Sequence, residues 1–182
     1  MQCTTLVRYW RVIAVDYASK TRTQGEHKRA IRNIKLRMSR KLLYAAGLLK
    51  CFRCALETNA DGFLHEVVFP ELFQGHDDLV RPYVETLRSF ADITPADMLA
   101  GWMIAQNTDS AIVRDIFNSY DEFLKCLDSP QNRAKLESKI GFDPALFDHL
   151  RDVSHEFQRG LTSLFFDSHS ELAQLTRNYA VF

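Results

Sequence analysis

Residues 27–50, HKRAIRNIKLRMSRKLLYAAGLLK, carry eight Lys and Arg and no Asp or Glu. Arginine suits bidentate contact with phosphate, and lysine neutralises it as a point charge. Lys28, Arg29, Arg32, Lys35, Arg37, Arg40 and Lys41 are therefore the residues with which this chain could hold an anion. The competing reading is a helix whose basic side pairs with the chain's own carboxylates. Residues 1–60 hold 13 basic and 3 acidic side chains, a balance of +10. Residues 61–182 hold 10 and 20, a balance of −10. Such a split fits an anionic partner for the first third, or two halves that attract each other.

Three other groupings could do chemistry. Cys51 and Cys54 have the CxxC spacing, but a structural zinc site needs four ligands. Cys3 and Cys126 stand alone, so small buried thiols are expected. Asp148, His149, Asp152, His155 and Glu156 crowd one predicted helix. A helical di-iron site would need a second Glu-x-x-His helix and further carboxylates, so a solvated acidic face is expected there. Arg22 and His27 have the spacing of the Arg–His pair of some helical ribonucleases, with Thr23 where Asn is usual. A glycine-containing break separates them, and a chance match is expected. No Walker, Rossmann or other glycine-rich phosphate loop is present. No catalytic and no metal-binding residue is assigned.

The elements that must position the basic residues read as helices throughout. Only 7 Gly and 5 Pro punctuate 182 residues, and no strand alternation occurs. Leu6, Tyr9, Trp10, Ile13 and Tyr17 predict a first helix. Ile31, Ile34, Met38, Leu42, Ala45, Leu49 and Phe52 recur in steps of 3, 4, 4, 3, 4, 3, which predicts one long helix from about Glu26 to Glu57. Its other side carries Arg29, Arg32, Leu36, Arg40 and Leu43, and leucines among arginines mark a face that touches something.

Further along, Thr94-Pro95 and Ser129-Pro130 read as helix starts, the second helix stopping at Gly141. Steps of four through Ile112, Ile116, Tyr120 and Leu124 predict a helical face. A long helix follows from Asp143, with a loosened point expected at Gly160, and a capped helix ends the chain. The expectation is an all-α bundle of seven to nine helices in one domain spanning 1–182. A basic hairpin (about 4–57) would pack with an acidic remainder (about 62–182).

Arg8 and Arg11 interrupt the first apolar run, which a signal peptide would not tolerate, and no apolar run of about 18 residues exists. A cytoplasmic protein with free thiols and no membrane span is expected.

Arg8 to Leu49, RYWRVIAVDYASKTR…IRNIKLRMSRKLLYAAGLL, resembles the helical C-terminal region of bacterial DNA-polymerase-β-like nucleotidyltransferase-domain proteins. The tail LFFDSHSELAQLTRNYAVF is similar to the end of the same group. Together these cover about a third of the chain. The family's Gly-Ser pair and Asp-x-Asp, which hold the metals for nucleotidyl transfer, are absent here. A fragment, a late start or a stand-alone helical relative would each account for that. No cofactor is therefore expected in this chain, and Mg only with an upstream catalytic domain. The resemblance implies a non-catalytic accessory domain. Its phosphate-contacting candidates would be Arg8, Arg11, Arg32, Lys35, Arg37, Arg40 and Lys41. The partners left open are a nucleotide or nucleic acid, a catalytic domain or partner protein, and a second copy. The alternative function is a protein-interaction or oligomerisation module, its basic helix set against acidic helices.

Overall fold

A computed structural model describes residues 2–23, 28–57, 93–138 and 141–180. All regular elements among them are helical. α1 is Gln2–Thr23, α2 Arg29–Lys35 and α3 Lys41–Glu57, with a π-helical segment, Leu36–Arg40, between the last two. α4 is Pro95–Ala105, α5 Ser110–Asp128, α6 Pro130–Glu137, α7 Pro144–Phe166 and α8 Ser170–Tyr179. Leu36 and Lys41 both hold right-handed helical angles, so α2, the π segment and α3 form one continuous rod. Counted that way, the described residues form seven helices, the lower end of the expected range. The segments FLHEVVFPELF and DDLVRPYVETLRSF lie outside the described residues.

All seven stripe residues of the rod are buried, and Ile34, Met38 and Leu49 are fully enclosed. The π segment has a reason in the pattern. At about 100° per residue, each step of four overshoots a turn by about 40°. The two consecutive steps from Ile34 to Met38 to Leu42 would swing the stripe by about 80° away from the core. The wider π turn takes up the extra residue and keeps all three inside. Further along α3, Tyr44, Ala46 and Leu48 are buried too, so the rod is enclosed on several sides.

Its neighbours follow from these faces. α1 lies against α3, with the Trp10 and Tyr44 rings 5.1 Å apart. α4 packs on α3, while α6 and α7 pack on α2. α5 and α7 form the most extensive helix pair, and α8 bridges α7 and α3. Three of the four step-of-four residues of α5, Ile112, Ile116 and Tyr120, pack on the core, and Leu124 does not. Ile116 is buried, but Leu124 is 49% exposed and Phe123 takes its place in the core. The same 40° drift per step carries the fourth residue out of the interface.

The ends obey local chemistry. Thr94 Oγ1 accepts the Asp97 N–H at 3.2 Å, and its hydroxyl donates to Asp97 Oδ2 at 2.7 Å. Ser129 caps α6 through the Asn132 N–H in the same way. Replacing Thr94 with Ala is expected to cost about 1 kcal/mol in a urea titration. A loss near zero would show that Pro95 alone sets this helix start. Three expectations change. α6 ends at Glu137, ahead of Gly141, which turns with φ of 86°. α7 continues as helix through Gly160, and that glycine serves a close contact with α5. The cap position of α8 is His169, which makes no side-chain cap bond and meets the Thr108 hydroxyl at 3.2 Å instead.

Candidate phosphate-binding face

The residue just before the rod is Lys28, whose φ of 61° is left-handed and unusual for a side chain of this size. Two bonds to one residue hold it there. Its N–H donates to the Glu137 carbonyl at 3.3 Å, and its ammonium sits 3.5 Å from the Glu137 carboxylate. The start of the basic helix is thereby pinned to the end of α6.

From that fixed end the cations fan out to different neighbours. Arg32 turns towards α1 and reaches the Lys20 carbonyl at 3.5 Å. Arg37 turns towards α7, where its Nη1 donates to Ser154 Oγ at 3.4 Å and its Nε to Asn33 Oδ1 at 2.9 Å. Lys41, one turn on, donates to Gln158 Oε1 of α7. Asn33 in turn donates to the Tyr17 hydroxyl at 3.1 Å. A polar ladder therefore crosses from α1 through the rod to α7.

The ladder that holds Arg37 and Lys41 contains no carboxylate. Ser154, Gln158 and Asn33 are neutral, and both cations are half-buried. Burial, and after it the charge of Arg37, pulls the Lys41 ammonium below the usual lysine pKa. Two like charges held together with no counterion among the described residues leave a site that an anion would stabilise. Lys35 is exposed and Arg40 half-buried, and neither side chain is bonded among the described residues. Arg8 and Arg11 are exposed on α1.

The other sequence candidates resolve into surface features. Asp148, Asp152, His155 and Glu156 are all exposed on α7, Asp148 being 3.1 Å from Arg151. No group of three or more potential metal ligands forms among the described residues. Cys51 and Cys126 form no disulfide among the described residues and are half-buried, and burial raises the Cys126 pKa. Arg22 is exposed, and His27 lies outside the described residues. No helix among the described residues is long and apolar enough to cross a membrane.

Sequence reasoning did not single out Asn33, Ser154 or Gln158. Their roles come from the packing of the rod on α7, more than a hundred residues away, and nothing in the local pattern signals them. Comparison with family models, with curated proteins and with solved structures finds no match.

Proposed function

We propose that this chain is a helical module whose basic rod binds phosphate, on a nucleotide or a nucleic acid, as the accessory region of a nucleotidyltransferase-like system would. The observation that carries the reading is the Arg37–Lys41 pair, half-buried on α7 and held by neutral partners. The +10 balance of residues 1–60 supports it. Arg40 lies between the two in sequence, and Lys35, Arg8 and Arg11 add to the positive charge of residues 1–60.

The test is a salt-titrated binding assay with RNA, DNA and ATP. Binding is expected at about 50 mM salt and should fall steeply as salt rises, because counterions are released. Changing Arg37, Arg40 and Lys41 together to Ala should weaken binding and flatten the salt slope by about 0.9 per lost duplex contact. The fold should survive, since the lost hydrogen bonds contribute only about 0.5–1.5 kcal/mol each. Failure to bind any of the three at low salt, with a clean dimer on a sizing column, would overturn the reading.

That last outcome would favour an interaction module. The observation behind this alternative is the exposure of Val12 and Val15 on α1, at 66% and 68%, together with Leu43 on the rod at 44%.

A further inference from the structure

A cavity of about 570 Å³ opens where the end of α1, the start of the rod, α6 and the beginning of α7 meet. Its walls include Tyr17, Arg29, Asn33, Phe142 and Phe147. We propose that it takes a small ligand made of a flat aromatic ring and an anionic group, the ring against Phe142 and Phe147 and the anion at Arg29. This inference rests on the phosphate-binding reading of the rod, of which Arg29 is the first residue.

The volume lies within the range of small-molecule sites, about 300–1,000 Å³. Three of its eight lining residues, Tyr17, Phe142 and Phe147, are aromatic. Phe142 and Phe147 pair with centroids 6.1 Å apart, yet Phe142 keeps 38% of its surface exposed. An aromatic ring left open inside a cavity offers stacking to another ring. Arg29 is exposed and supplies the positive charge. Asn33 is fixed from both sides, by the Tyr17 hydroxyl and by Arg37 Nε, so its amide is oriented in advance.

The walls are also held without any ligand. Lys28 ties the rod to Glu137 at the end of α6. Asp143 starts α7 by accepting the Leu146 N–H at 3.0 Å and meets Lys135 of α6 at 3.2 Å. A preformed cavity spares a ligand the cost of ordering it. A bare phosphate would leave the rings unused, and a wholly apolar ligand would leave Arg29 unused, so the combined chemistry fits best.

Calorimetric titration with AMP, adenosine and inorganic phosphate tests the proposal. AMP should bind with Kd below about 1 mM, and the other two at least about tenfold more weakly. Phe142→Leu keeps an apolar side chain but removes the ring face. It should weaken AMP about tenfold, the low end of a base–aromatic stack. Phe142→Tyr should retain the affinity, and Arg29→Ala should reduce AMP to the level of adenosine. Melting curves of the three variants should overlay the wild type, since both positions are exposed. Wild-type RNA or DNA binding without AMP binding would overturn this inference and leave the phosphate role standing. So would AMP binding that neither Phe142→Leu nor Arg29→Ala alters. Absence of binding to AMP, RNA and DNA alike would overturn both.

Discussion

Replacing Met38 with Asp is expected to abolish the folded state. Met38 is fully enclosed at the centre of the π segment, between Ile34 and Leu42 of the buried stripe. A carboxylate there would lose its water and gain no partner. The cost is several kcal/mol whether the group stays charged or takes up a proton. The loss of methionine packing adds to it. A domain of this size has about 5–15 kcal/mol of stability in total, so the variant should be largely unfolded by circular dichroism at room temperature. Met38→Leu keeps the volume and should cost less than about 1.5 kcal/mol. An Asp variant that melts with the wild type would mean that the rod presents a different face to the core.

Gly160 and Gly101 should respond to alanine with opposite signs. Both are helical glycines, and propensity alone favours Ala by about 1 kcal/mol at each. At Gly101, which is exposed, nothing among the described residues lies within 4 Å of an added Cβ, so Gly101→Ala should stabilise by up to that amount. At Gly160 an added Cβ would stand 2.8 Å from Ile116 Cγ1, 3.0 Å from Asp115 Cβ and 3.1 Å from the Ile116 backbone nitrogen. The last contact is with main chain, which cannot rotate away. α5 and α7 must separate, and Ile116, fully buried, is at their interface. Overpacking of this kind costs about 1–3 kcal/mol, more than the propensity gain for most of that range. Gly160→Leu should cost more again. Urea titrations of both alanine variants decide the matter. A stabilised Gly160→Ala would show that α5 and α7 lie further apart than these distances place them.

The two glycines show where reading from sequence stops. Each sits in a helical pattern, and no local signal separates the exposed one from the one that lets two helices touch. Only the approach of α5 to α7 does that. The same holds for Arg37 and Lys41. Their charge and spacing were legible, and so was the helix that carries them. That they meet Ser154 and Gln158, and no carboxylate among the described residues, depends on which face of α7 the rod lies against.

What the sequence determined by itself was the all-helical class, the buried stripe from Ile31 to Phe52, and the helix starts at Thr94 and Ser129. These depend on period, capping side chains and proline, all of which act within a few residues. The tertiary structure decided the rest. It chose Phe123 over Leu124, ran α7 unbroken through Gly160, and brought Tyr17, Arg29 and Phe142 around one cavity. Those outcomes depend on contacts between residues distant in the chain. Side-chain shape and helix register set such contacts, and short-range pattern does not encode them.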